Sequence, residues 1–293
     1  MSTILITGAT GYIGRRLTGF LAAKGHTIHA LCRNDTSQDL SNENITIEAL
    51  SETRSLSNIF AETVFDEVIH LATFYTHDSS NDIDKLIDSN ISLGISLIEL
   101  MLKQGCRKLI NTTTCAEFSS EGKYQPNSLY AASKYAYRCM SEYYSNCHDL
   151  KVIDLVLYDN YGPEDPRRKI ITLLCDHIGS SKAIELSPGD QYLNLVYIDD
   201  TVRAIAKARD CFDNDLTNNN RAQFCVAPDE PITLKQLASE IETVAGNKIN
   251  ALWGAKPYRE NEIMTPWRGK NVPHWSANTP LHKGIKSLLQ TFN

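Results

Sequence analysis

The sequence predicts an α/β fold, a doubly wound parallel sheet with a smaller C-terminal domain. Three observations predict it. Short apolar runs alternate with amphipathic stretches through the first half of the chain, the pattern of βαβ units. A glycine-rich turn, Gly8-Ala9-Thr10-Gly11-Tyr12-Ile13-Gly14, joins the first run to the first amphipathic stretch. After Tyr161-Gly162-Pro163 the regularity loosens, and turn residues gather around 163–166 and 187–190.

The elements follow in order. Residues 3–7 read as a buried strand and 12–24 as a helix ended by Gly25. Strands are expected at 27–32, 45–49 and 67–71, then a long helix over roughly 83–103. A fifth strand takes 108–112, a helix runs from about 129 to 146, and a sixth strand takes 152–156. Right-handed crossovers between such strands give a parallel sheet. Further on, Thr233-Leu234-Lys235-Gln236 is a capping box. Leu234, Leu237, Ile241 and Val244 then share one helical face until Gly246. The last forty residues, rich in Pro, Trp, Asn and His, read as irregular. The division expected is 1–162 as one domain, with 193–226 returning to it, and 163–192 with 227–293 as the second.

Bulk properties narrow the function class. At 293 residues the chain can bury one large core, or a large and a small domain. A formal charge of −6 argues against a nucleic-acid surface or a polybasic membrane patch. No apolar run approaches the ~18 residues needed to span a bilayer. Met1-Ser2-Thr3 leads straight into the first apolar strand with no basic leader, so a cytoplasmic location is expected. The eight cysteines are scattered with no C-x-x-C, which fits a reduced compartment and neither a disulfide framework nor a metal site.

Two motifs carry chemistry. Gly8 follows a strand and Gly14 opens a helix, so the backbone can approach a pyrophosphate and present free N–H groups with the helix dipole behind them. That places Gly8, Thr10, Gly11, Tyr12, Ile13 and Gly14 at a dinucleotide of a Rossmann-type sheet. The spacing is G-x-x-G-x-x-G, and the competing reading is a turn that only packs helix on strand. An NAD enzyme usually has Asp or Glu at the end of the second strand for the ribose 2′-hydroxyl. Here Leu31-Cys32-Arg33 supplies no carboxylate, and a guanidinium can pair with a 2′-phosphate, so NADP(H) is favoured over NAD(H).

The second motif is Tyr130-Ala131-Ala132-Ser133-Lys134. A carbonyl that accepts hydride becomes an alkoxide and must be protonated as it forms. A tyrosine, with a pKa of ~10, serves poorly near neutrality unless perturbed. Lys134 lies one turn along the same helix face, and its charge, with that of an oxidised nicotinamide, would lower the Tyr130 pKa. The end of the fifth strand offers Thr112, Thr113 and Thr114 to hold the substrate oxygen. Read blandly, Tyr130 and Lys134 are a helix-surface pair and the threonines ordinary strand filling.

With these residues in hand, the chain resembles an extended short-chain dehydrogenase/reductase of the nucleotide-sugar epimerase/dehydratase group. The resemblance covers nearly the whole chain and includes the glycine motif, His70-Leu71-Ala72, Asn90, the threonine triplet, Tyr130/Lys134 and Tyr161-Gly162-Pro163. It implies that Thr114, Tyr130 and Lys134 are catalytic, and that Leu71, Ala72, Thr73 and Asn90 join the cofactor site. It also implies Tyr75, His77, Thr114, Asn160, Arg259 and Glu262 as substrate contacts, in a substrate-binding C-terminal domain. Within the group, His70–His77 and Arg259-Glu260-Asn261-Glu262-Ile263-Met264 are most similar to reductases of the CDP-abequose and CDP-paratose type. That similarity implies Arg259 on the nucleotide diphosphate, Glu262 on the ribose, and a place in surface-polysaccharide (O-antigen) synthesis. A homodimer through the 83–103 and 129–146 helices is implied as well.

The chain also departs from the group. Dehydratases carry an Asp-Glu pair after the catalytic Thr, where this chain has Cys115-Ala116, so elimination of water is not expected. The 3,5-epimerase-reductases carry their catalytic Cys at the position of Ala116, which leaves Cys115 as a packing residue. Leu193-Asn194 replaces the usual Arg-Asp, and Val156 replaces an Arg. Arg167, Arg168 or Lys169 could make up the lost diphosphate contact, against the simpler reading of a solvated basic loop. Three functions compete: an NADPH-dependent 4-ketoreductase of a nucleotide-linked deoxyhexose, an NAD-dependent 4-epimerase, and a non-catalytic NADP-binding sensor.

Overall fold

The computed structural model describes residues 1–33, 40, 42–76, 82–216 and 219–292. In chain order the elements are β1 (Thr3–Thr7), α1 (Tyr12–Ala23), β2 (Thr27–Cys32), β3 (Ile45–Ala49), α2 (Leu56–Glu62) and β4 (Glu67–His70). Next come α3 (Ile83–Ile87), α4 (Leu93–Gln104), β5 (Lys108–Thr114), α5 (Leu129–His148), β6 (Lys151–Leu157) and β7 (Asp159–Tyr161). After these stand α6 (Ile170–Asp176), β8 (Ile184–Leu186), β9 (Tyr192–Leu193), β10 (Leu195–Tyr197), α7 (Ile198–Ala208) and β11 (Arg221–Val226). The chain finishes with β12 (Ile232–Thr233), α8 (Leu234–Ala245), β13 (Ala251–Trp253) and α9 (Leu281–Leu289).

Seven strands form a parallel sheet in the order β11-β6-β5-β4-β1-β2-β3. The chain builds outward from β1 to β3, then crosses back to β4 on the other side of β1. That reversal opens a crevice beyond the carboxyl ends of β1 and β4, where sheets of this kind bind ligands. Both faces are covered, so the strands read as nearly continuous apolar runs. Ile4 and Ile6 of β1 pack with Leu17 and Leu21 of α1 and with Val202 and Ile205 of α7. Leu5 points the other way, into a layer with Ile59 of α2, Leu97 and Met101 of α4 and Tyr137 of α5. A third cluster lies off the sheet and joins Leu174 (α6), Leu186 (β8), Leu237 and Ile241 (α8), and Ile285 (α9).

The structure changes the expected long helix. Residues 83–104 form two α-helical pieces joined by one π-helical turn, Asp88–Ser92. Asn90 sits in that turn, buried, and its side chain makes bonds the regular helix would misdirect. β5 runs on to Thr114, two residues past the expected end, because it pairs with β6 as far as Leu157. The Thr233–Gln236 capping box forms as read, and Gly246 ends α8 at φ 66°.

Candidate active site

The glycine turn fixes the floor of the crevice. Gly8 has φ +66°, and a Cβ there would lie 2.8 Å from the backbone nitrogen of Ala72. A Cβ on Gly14 would lie 2.1 Å from the Gly8 carbonyl oxygen, so both close approaches require glycine. Gly11 caps α1 without a side-chain partner, and no acidic residue stands in the first turn. Among the described residues nothing accepts the N–H groups of Tyr12, Ile13 and Gly14. Open donors at the positive end of a twelve-residue helix suit a pyrophosphate. The fit extends to Arg33, exposed at the end of β2, with no hydrogen bond or ion pair among the described residues. Tyr12 offers only its backbone to the crevice, since its ring is buried beneath Arg16 and Arg167, 5.5 and 5.1 Å away, against Gly162. Thr10 remains exposed at the lip.

β4 supplies the opposite wall. The Thr7 hydroxyl accepts from the N–H groups of Leu71 (3.2 Å) and Ala72 (3.0 Å) and shares a 2.8 Å hydrogen bond with His70 Nδ1. His70 is fully buried, which pushes its pKa down to about 3 and keeps it neutral; Lys134 adds to that effect. Asn90, expected beside the cofactor, is saturated by protein. Its Oδ1 accepts from Thr73 Oγ1 (3.1 Å) and the Phe74 N–H (2.7 Å), while its Nδ2 donates to the Phe74 carbonyl and to Ser133 Oγ. Ser133 Oγ donates in turn to the Tyr130 carbonyl. Asn90 therefore latches the loop carrying Thr73 to the helix carrying Tyr130.

Tyr130 stands in the first turn of α5, which Ser128 caps by accepting from the Ala131 N–H. Lys134, one turn on, is 2 % exposed, and no protein group among the described residues hydrogen-bonds its ammonium. Burial pushes it down to about 8, opposed by Glu117 and Asp154. Without the charge of an oxidised nicotinamide, the Tyr130 pKa lies above its ordinary value. Burial pushes its phenol up to about 12, a Thr73 hydrogen bond pulls the other way, and Lys134 contributes nothing resolved. Desolvation is the largest cause, and Glu117 and Tyr75 add to it. In this state Tyr130 is a protonated donor.

The threonines divide by the pleat. Thr112 Oγ1 donates to the His70 carbonyl (3.3 Å), and Thr113 Oγ1 is buried without a partner. Thr114, at the strand end, accepts from the Ala116 N–H at 3.3 Å and keeps its own O–H to donate. Cys115 packs, partly buried, with Phe118, Val156 and Tyr158, and desolvation pushes its thiol pKa far up. Val156 lies in the same apolar cluster, which accounts for the absence of a charge there.

Above the crevice, the Tyr75 ring meets that of Tyr130 edge-on, with centroids 5.0 Å apart. Arg259 and Arg167 both pull the Tyr75 phenol pKa down, so their charges face the same cleft, although burial leaves the net shift upward. Glu262 is half-buried, and its N–H donates to the Arg259 carbonyl (3.0 Å), closing a turn that carries both. His77 lies outside the described residues. Asn160 is buried, and its side chain is committed to Thr201 and the Tyr158 carbonyl. The cation there is Lys169, whose ammonium donates to the Asn160 carbonyl (3.0 Å) and whose pKa burial lowers. The solvated-loop reading holds for Arg168, exposed on Asp176, while Arg167 folds onto Asp165 (2.7 and 2.8 Å). It fails for Lys169, because α6 turns that residue inward.

Similar proteins share the fold and much of the sequence. The chain is 31% identical to a CDP-abequose synthase of Yersinia pseudotuberculosis over 98% of this chain and 99% of that one. A CDP-abequose synthase of Salmonella typhimurium is 26% identical, with 98% and 97% covered. Among solved structures, a UDP-glucose 4-epimerase of Thermotoga maritima with UDP-glucose superposes with a TM-score of 0.84 at 21% identity, covering 99% and 98%. Residues 4–220 match the NAD dependent epimerase/dehydratase family. The chain belongs to that family.

Proposed function

We propose that the protein is an NADPH-dependent reductase of the C4 ketone of a nucleotide-linked, and specifically CDP-linked, 6-deoxy or 3,6-dideoxy hexose. One observation carries the reading: at the switch point of the sheet, α5 sets Tyr130, with the buried Lys134 one turn on, beside a glycine turn with open N–H donors. Reduction needs an acid there, and Tyr130 is one. The cofactor, when bound, supplies hydride. Thr114 donates a hydrogen bond to the C4 oxygen, and Tyr130 gives that oxygen its proton as the C–H bond forms. The phenolate left behind is stabilised by the Lys134 ammonium. Arg259 pairs with the diphosphate, with Lys169 beneath it where Leu193 offers no cation. Residues 163–192 and 227–293 form the substrate-binding part.

Two further observations support the reading. Cys115 sits in an apolar cluster, so no carboxylate pair follows Thr114 to eliminate water. Two relatives matched over nearly full length, at 31% and 26% identity, are named CDP-abequose synthases. A homodimer through α4 and α5 belongs to the same proposal, supported by Leu129, Met140 and Tyr143, which are 50, 45 and 56% exposed on α5.

The test is stopped-flow or steady-state loss of NADPH absorbance with CDP-4-keto-3,6-dideoxyglucose. Stoichiometric oxidation is expected, with Tyr130→Phe lowering kcat about 10²–10⁴-fold. An epimerase would instead copurify with NAD and interconvert C4 epimers without net NADPH consumption.

A further inference from the structure

A carboxylate under the site has no part in the chemistry above. Glu117 lies three residues after Thr114, in the short 3₁₀ turn Cys115–Glu117, and is fully buried. Its Oε2 accepts from Arg138 Nη1 at 2.6 Å, while its Oε1 is buried with no partner. Arg138 is one helical turn beyond Lys134 and two beyond Tyr130, on the same face of α5. The other guanidinium nitrogen donates to Gln223 of β11, and the Arg138 group lies over the rings of Phe118 and Tyr135. The segment between the two elements is stitched down too. Asn127 N–H donates to the Ala116 carbonyl (3.1 Å) and Gln125 N–H to the Glu117 carbonyl (2.9 Å). Glu117 thus ties the turn that aims Thr114 to the helix that aims Tyr130 and Lys134.

Resting on the reading of these three as the reacting set, we propose that Glu117 is a positioning residue: it locks the Thr114 turn to α5 through Arg138 and supplies the negative charge that the buried Lys134 ammonium lacks. The groups facing Lys134 are few. His70 of β4 is neutral, Asp154 of β6 and Glu117 supply the carboxyl groups, and Tyr130, Tyr137 and Arg138 share its helix. Asp154 is already committed to Arg221 of β11 and to Asn111 (2.8 Å), with Arg138 Nε 3.8 Å away. Glu117 has one cationic partner and an idle oxygen, so its charge is the less neutralised of the two. An anion there raises the proton affinity of both Lys134 and Tyr130, which keeps the lysine charged and the tyrosine an acid. Burial pushes Glu117 itself up to about 7 against the pull of Arg138, so the pair is ionic above neutral pH.

Glu117→Gln keeps the shape and removes the charge. The readout that needs no substrate is the titration of the Lys134 amine, followed by ¹³C/¹⁵N NMR of labelled lysines and assigned with Lys134→Arg. In E117Q its midpoint falls by about one pH unit. With the CDP-linked ketosugar, kcat at pH 8 falls about fivefold while KM stays within about twofold. A folded E117Q with an unshifted midpoint, or with unchanged kcat, overturns the proposal. If the wild-type protein reduces no such sugar, the proposed function fails while the Lys134 midpoint still decides the part played by Glu117. Should E117Q not fold, Glu117→Asp withdraws the charge by one methylene and must still lower the midpoint, in smaller measure.

Discussion

Lys134 carries its charge in a place that opposes it. Its pKa falls from the 10.5 of a free lysine to about 8, so the folded state sheds this proton before the unfolded state does. The resulting penalty is fully present below pH 8 and is relieved as pH rises from there towards 10.5. A shift of that size corresponds to about 3 kcal/mol. Lys134→Met should therefore raise the thermal midpoint near pH 7 while abolishing turnover; a lowered midpoint would contradict the assigned burial cost. Activity runs the other way from stability: kcat should decline as pH rises through about 8, where the ammonium is lost. Arg33 gives the second prediction at this scale. If it meets a 2′-phosphate, Arg33→Ser weakens NADPH about 10–100-fold and leaves NADH unchanged, since a charged hydrogen bond is worth about 1.5–3 kcal/mol. Fluorescence titration of both cofactors reads this, and equal losses would refute it.

Among the elements, the β1–α1 turn is the least forgiving. Gly8→Ala places a methyl group 2.8 Å from Ala72 nitrogen at φ +66°, so the turn and the β4 loop must part. A cost of about 1–3 kcal/mol in chemical denaturation is expected, with loss of dinucleotide binding. An unaltered midpoint would show that the turn is free to move. The same element shows why much of the fold was legible. Parallel strands covered on both faces read as apolar runs, and a glycine required by a 2.1 Å approach leaves a mark on the sequence itself. Elements without such a mark stayed unread. α2 has seven residues, too few for a helical period, and β8, β9, β10, β12 and β13 have two or three each. The π-turn at Asp88–Ser92 was invisible because its cause, Asn90 reaching Phe74 and Ser133, lies across the fold. The Glu117–Arg138 pair escaped for the same reason, and Lys169 could not be told from Arg167 and Arg168: the partners are brought together by packing, not by spacing.

Across the whole molecule, the strand order β11-β6-β5-β4-β1-β2-β3 is what makes one crevice out of distant segments. It sets the glycine turn of β1, the Leu71-Ala72 turn of β4 and the end of β5 side by side, then lays α5 against them. The third apolar cluster, built by α6, α8 and α9, stands beyond that edge and presents Lys169 towards it, while the turn bearing Arg259 and Glu262 follows β13. Among the described residues, no helix is long and apolar enough to cross a membrane. The exposed apolar residues of α5 predict a dimer: light scattering should give twice the chain mass, and Met140→Glu with Tyr143→Glu should halve it. A wild-type monomer would contradict that assembly.

In the proposed reaction this crevice reduces a nucleotide-linked ketone with Tyr130 as the acid. The most direct measurement is NADPH consumption with CDP-4-keto-3,6-dideoxyglucose, wild type against Tyr130→Phe. One NADPH consumed per sugar, abolished in the mutant, is the predicted result. Consumption undiminished in Tyr130→Phe, or none with wild-type protein, would contradict it.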